Sequence, residues 1–142
     1  MGSLARVRPW AGGQRIVALG GGHGLSVSLG ALRGMSDNIT AIVGVSDDGG
    51  SSGRLREEFG IIPPGDLRMA LAALCGDDSW GRTWSSVLQH RFTGGGELTG
   101  HALGNLLIAA MWQETGDLVS GLDYVAALLG ARGRVLPSAE EP

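Results

Sequence analysis

The chain has 142 residues, 43% apolar and 18% charged, which is enough to fold one domain and too few for two. All 11 basic residues are arginine and the formal net charge is −3, so no dense basic patch stands ready for a nucleic-acid backbone. A single cysteine, Cys75, excludes an internal disulfide, and the longest apolar stretch, around Leu103 to Trp112, is too short to span a bilayer. Together these predict a soluble cytoplasmic protein.

Residues 1 to 14 carry Arg6, Arg8 and Pro9 but no apolar leader core, and are expected to form a disordered tail before a domain at 15–142. Ile16-Val17-Ala18-Leu19 is a short apolar run that suits a strand buried on both faces of a parallel sheet. Leu25, Leu29 and Leu32 then recur at helical spacing, and Gly34 can end that helix. Ile39 to Val45 is the clearest strand, and it completes a strand-helix-strand unit. Ser46 to Gly53, reading SDDGGSSG, is all turn chemistry and predicts a loop.

Beyond Pro63-Pro64-Gly65, Leu67, Leu71 and Leu74 mark a short helix with Asp66 in its first turn, where a negative charge suits the helix dipole. Trp84, Val87, Leu88 and Phe92 predict another, followed by the glycine loop Thr93 to Gly96. Leu103, Leu106, Leu107, Ala110 and Met111 give the strongest helical stripe. A last helix is expected from Asp117 to Leu129, and a third strand from Arg132 to Leu136. Three strands and about five helices predict an α/β, Rossmann-like three-layer domain with a parallel sheet. So few strands for a sheet with both faces covered predict a domain truncated at its C-terminus.

Three segments carry chemistry. Gly20-Gly21-Gly22-His23-Gly24 lies between a strand and a helix, where converging backbone amides and the helix N-terminus can hold an anion. No lysine follows to make it a Walker loop, and Leu25 stands where a dinucleotide fingerprint has its third glycine. Asp47-Asp48, directly after the second strand, can hold a hydrated Mg²⁺ or ribose hydroxyls; equally, one of them caps the glycine turn. Gly49, Ser51, Ser52 and Arg54 extend that loop with amides, hydroxyls and a guanidinium suited to phosphate oxygens. Gly49-Gly50-Ser51-Ser52-Gly53 also fits a nucleophile-elbow pattern, but carboxylates and glycines separate Ser51 from its strand and oppose an oxyanion. In the third segment, TGGGELTGHALGN, His101 and Asn105 stand four residues apart, which would put them on one helical face beside a glycine loop. His90 and the four tryptophans are expected to serve packing.

Together, GGGHGLS, DDGGSSGRLR, PPGD, FTGGGELTGHALGNLL and ARGRVLP resemble the gluconeogenesis-factor branch of the CofD-like family over about Arg15 to Pro137. The resemblance implies a bacterial cytoplasmic factor needed for growth and cell shape on gluconeogenic carbon sources. Its ligand would be a nucleotide sugar of the UDP-N-acetylglucosamine type. It would have protein partners in envelope regulation, a homo-oligomeric state open to it, and no nucleic acid or membrane span. The related CofD branch consists of Mg²⁺-dependent enzymes that transfer a phospholactyl-type group to a deazaflavin, so a transferase is the rival expectation. By this resemblance Gly20 to Gly24 approach a diphosphate, Asp47 and Asp48 lie by a ribose or metal, and Ser51, Ser52 and Arg54 line the pocket. Asp66, His101 and Asn105 would face the same cleft. His23 replaces the family's usual threonine, and the stretch matches the N-terminal part of a longer domain.

Overall fold

The computed structural model describes residues 14–47 and 49–141. Strands β1 (Ile16–Gly20), β2 (Ile39–Val43) and β3 (Gly133–Pro137) form one parallel sheet in the order β1-β2-β3. The register runs from Ile16 beside Ile39 beside Gly133 to Gly20 beside Val43 beside Pro137. Between the strands lie α1 (Gly22–Leu32), α2 (Gly50–Phe59), α3 (Gly65–Ala73), α4 (Ser79–Gln89), α5 (Leu103–Thr115) and α6 (Leu118–Leu129). This is the α/β, Rossmann-like arrangement that the periodicity predicts, with six helices in place of about five.

Local chemistry sets the helix ends. Asp78 and Asp117 cap α4 and α6 by accepting hydrogen bonds from the amides of Gly81 and Ser120, both at 2.8 Å. The core is built on one side of the sheet. Ile39, Ala41, Val43 and Val135 point into it, against Leu29 of α1, Leu67 and Leu71 of α3, and Leu122, Val125 and Leu129 of α6, all buried. Each large side chain removed from water there contributes about 1.5–3 kcal/mol.

The expected burial of the first strand on both faces is corrected. Val17 is 61% exposed and Leu19 72%, and the register places Leu19 beside Ile42 and Leu136 on the face turned away from the core. Among the described residues no helix covers that face, so β1 is apolar on both sides but buried on one. β1 and β3 are edge strands and β2 is central.

Two further expectations change. No helix is expected between Gly49 and Pro63, yet α2 runs from Gly50 to Phe59, with Ser51, Ser52 and Leu55 forming its buried face. Phe92 lies outside α4, which ends at Gln89, and the chain there forms a short antiparallel bridge between Arg91 and Ala102. His90 and Phe92 pack edge to face at 5.2 Å, so the packing role expected of His90 is what the structure displays. Of the expected tail, residues 1–13 lie outside the described residues, while the Gln14 carbonyl accepts a hydrogen bond from the Ser36 hydroxyl at 3.0 Å. No helix among the described residues is long and apolar enough to cross a membrane.

Candidate functional site

The carboxyl ends of β1 and β2 and the N-termini of α1, α2 and α3 meet at one edge of the sheet, the usual position for ligands in open parallel sheets. Gly20 ends β1, Gly21 precedes α1 with extended backbone, and Gly22 opens the helix at φ 61°, a conformation that glycine adopts without strain. His23 and Gly24 lie in the first turn of α1, and His23 is exposed. The glycines also permit a close approach: a Cβ on Gly21 would stand 2.9 Å from Oδ2 of Asp66.

Asp66, in the first turn of α3, accepts a hydrogen bond from the Gly22 amide. A carboxylate therefore already sits at the N-terminus of α1, where the glycine pattern suggests an anion. Burial, and after it the charge of Asp47, raise the Asp66 pKa above the usual carboxylate value; the Gly22 amide and the charge of Arg68 oppose the rise. Two carboxylates thus line one cleft closely enough to interact, and carboxylate oxygens are the ligands a hard divalent cation takes. They are Asp47 and Asp66, nineteen residues apart in the chain. Asp48 lies outside the described residues, and among the described residues no group of three or more His, Cys, Asp or Glu side chains is placed to hold a metal. Asp47 also accepts from the Gly49 amide at 3.2 Å, which is the turn-capping role.

A cleft of about 380 Å³ opens beside these carboxylates, lined by Asp47, Ser51, Ser52, Asp66, Arg68 and Asn105 among others. Its floor is a buried polar chain. Ser51 Oγ lies 2.8 Å from Nδ1 of His101 and accepts from Nδ2 of Asn105 at 3.0 Å. Oδ1 of Asn105 accepts from Nη1 of Arg68 at 3.0 Å, and Nε of Arg68 donates to Oε1 of Gln89 at 2.7 Å. Ser52 packs tightly under α3: a Cβ on Gly65 would come within 2.5 Å of its hydroxyl.

His101 and Asn105 meet at Ser51, but not by sharing a helical face. α5 starts at Leu103, so His101 sits in the preceding loop and only Asn105 is helical. His101 is buried, and burial followed by the charge of Arg54 lowers its pKa, favouring neutral imidazole.

Arg54 points away from the cleft. It donates to the carbonyls of Thr99, at 2.8 Å, and Glu97, fastening the second glycine loop. Arg68, Gln89 and Arg91 belong to the site's surroundings, although the motifs did not single them out. A buried arginine between Leu67 and Leu71 in an apolar helix is the trace that could have revealed the first.

The profile of the CofD family, described as 2-phospho-L-lactate transferase CofD, matches residues 16–142. A Mycobacterium leprae protein with a provisional gluconeogenesis-factor name is 60% identical over 122 residues, covering 86% of this chain and 34% of its own length. The gluconeogenesis factor of Bacillus subtilis is 50% identical over 125 residues, covering 88% and 38%. A crystal structure of a Bacillus halodurans protein superposes with a TM-score of 0.81 at 48% identity, covering 89% of this chain and 40% of that one. The chain spans about a third to two-fifths of the length of these relatives. With the family profile matched over nearly the whole chain and the same fold in a solved relative, the chain belongs to the CofD family.

Proposed function

We propose that the chain forms the phosphate- and sugar-recognising part of a cytoplasmic factor that binds a nucleotide sugar of the UDP-N-acetylglucosamine type. In this reading it supports growth and cell morphogenesis under gluconeogenic conditions by presenting its ligand-bound form to protein partners, a second copy of itself included. One observation carries the reading: a glycine loop at the carboxyl end of β1 opens α1 beside a polar cleft, and close relatives bear the gluconeogenesis-factor name. Gly20, Gly21 and Gly22 would approach the diphosphate, and Asp47 and Ser52 the hydroxyl-bearing parts.

The second reading is a Mg²⁺-dependent transferase of a phospholactyl-type group onto a deazaflavin. Asp66 and Asp47 favour it, both lining the cleft, with burial first and then the charge of Asp47 raising the Asp66 pKa. A bound Mg²⁺ would supply neutralisation of a diphosphate leaving group. The chain's own contribution would be to orient that cation from the glycine-loop side, with the Gly22 amide fixing the Asp66 carboxylate.

Calorimetric titration of UDP-N-acetylglucosamine, with and without Mg²⁺, into this chain and into the full-length Bacillus subtilis factor tests the first reading. Saturable binding without product supports it. Absence of binding by both, with binding of a deazaflavin instead, overturns it in favour of transfer.

A further inference from the structure

Arg68 is the most unusual charge in the molecule. It is 6% exposed, and among the described residues its guanidinium hydrogen-bonds to the neutral amides of Gln89 and Asn105 while no carboxylate lies at ion-pair distance; the charge of Asp66, two residues earlier, favours it only from farther off. With no ion pair at contact distance, part of the desolvation cost of that cation stays uncompensated, and a ligand anion at the guanidinium would offset it. A second guanidinium, that of Arg91, lines the same cleft and repels it. Arg91 is exposed and anchored through Nη1 to the Gly100 carbonyl at 2.9 Å, so the two cations are held in place by separate elements.

The rest of the cleft divides by charge. Gly50, Ser51 and Ser52, the first turn of α2, bring the positive end of that helix to the same space. Among the described residues the acidic groups of the cleft are Asp47, bonded to the Gly49 amide, and Asp66, bonded to the Gly22 amide. The Asn105 amide is oriented by its neighbours: Oδ1 accepts a hydrogen bond from Arg68, so Nδ2 faces Ser51.

We propose that this cleft is an acid-group subsite, in which Arg68, Arg91 and the first turn of α2 seat a carboxylate or phosphate-monoester group of the ligand. It is separate from the glycine loop at α1. Two arginine forks match the planar or tetrahedral oxygens of such a group, and Arg68 is pre-positioned by its two amide partners. The identity of the rest of the ligand rests on the nucleotide-sugar reading; the subsite does not.

The test is calorimetric titration of inorganic phosphate and, separately, of acetate into the chain, into Arg91→Gln and into Arg68→Gln, at constant ionic strength. The chain is expected to bind one of the two probes saturably, which also distinguishes phosphate from carboxylate as the preferred group. Arg91→Gln is expected to weaken that binding about tenfold, the loss of one charge-assisted contact, with an unchanged melting temperature. Arg68→Gln is expected to weaken it further; if that variant loses cooperative melting, Arg91→Gln carries the test alone. Failure of the chain to bind either probe, or equal affinity in the chain and Arg91→Gln, overturns the proposal. UDP-N-acetylglucosamine titrated into the same preparations keeps the two readings apart. Probe binding sensitive to Arg91 with no nucleotide-sugar binding overturns only the nucleotide-sugar reading. Nucleotide-sugar binding with no probe binding overturns only the subsite.

Discussion

The Ser51 hydroxyl lies 2.8 Å from Nδ1 of His101, fifty residues later in the chain, and both side chains are buried. The contact joins α2 to the loop before α5, and Asn105 locks it by donating to the same oxygen. Ser51→Ala leaves Nδ2 of Asn105 without its acceptor and Nδ1 of His101 without its partner, and is expected to destabilise the fold by about 1–3 kcal/mol. Urea denaturation of Ser51→Ala, His101→Ala and the double variant measures the coupling; strictly additive losses would contradict a shared network.

The lowered pKa of His101 gives a pH dependence of definite sign. Folding favours the neutral ring, so its contribution is complete above the ordinary value of 6.5 and is lost as pH falls below it, when the unfolded chain takes up the proton first. Denaturation midpoints between pH 7 and pH 5 are expected to fall in the native sequence and to fall less in His101→Gln. Equal slopes in the two would count against a buried neutral imidazole.

Asp66 behaves in the opposite sense. Burial raises its pKa above the ordinary value of 3.8, so folding favours the protonated acid and stability declines as pH rises from that value through the raised one. Asp66→Asn keeps an acceptor for the Gly22 amide and removes the repulsion with Asp47. Its melting temperature is expected to exceed that of the native sequence by a larger margin at pH 7 than at pH 4. Thermal melts at the two values check this, and a margin that shrinks toward neutrality refutes it.

Gly104 fixes how closely α5 approaches α4. A Cβ there would stand 2.6 Å from Cγ of Arg68 and from Cδ2 of Leu88, and 2.7 Å from the Leu88 carbonyl oxygen. The backbone oxygen cannot rotate aside, so Gly104→Ala is expected to destabilise by about 1–3 kcal/mol. It should also weaken any ligand held through Arg68. Gly24→Ala, where nothing lies within 4 Å of the added carbon, is the control and should melt within a few degrees of the native sequence.

The bare face of the sheet carries its own consequence. Leu19, 72% exposed, has little burial to lose, so Leu19→Lys is expected to change stability by no more than about 0.5 kcal/mol. It should reduce both binding of an apolar fluorescent dye and self-association in size-exclusion chromatography. Unchanged dye binding would mean that this face is covered in solution.

Much of the fold was legible because its signals are local. The β-branched run Ile39 to Val43 has few alternatives to a strand, and the leucines at 25, 29, 67, 71, 122 and 129 repeat at helical spacing and are all buried. The glycine loop after β1 was placed correctly for the same reason: a strand, three glycines and an amphipathic helix leave one arrangement. α2 was missed altogether, because Gly50, Ser51 and Ser52 are poor helix formers and the stretch to Phe59 has no sustained apolar repeat at helical spacing. What holds them helical is the burial of Ser51, Ser52 and Leu55, and no neighbour in sequence reports that.

The sequence by itself determined the class of fold and the position of the glycine loop at the carboxyl end of β1, and it singled out Asp47, Ser51, Ser52, Asp66 and Asn105, which line one cleft, since each signal follows from spacing along one strand, helix or turn. Tertiary structure alone decided which of them touch. It set Asp66, eighteen residues from Asp48 in the chain, beside the glycine loop, turned Arg54 toward the carbonyls of Glu97 and Thr99, and brought Arg68 to Asn105. It also left Val17 and Leu19 uncovered. The physical reason is one of range: backbone propensity and periodicity act over a few residues, whereas burial, charge compensation and hydrogen-bond pairing depend on which distant segments the packing brings together.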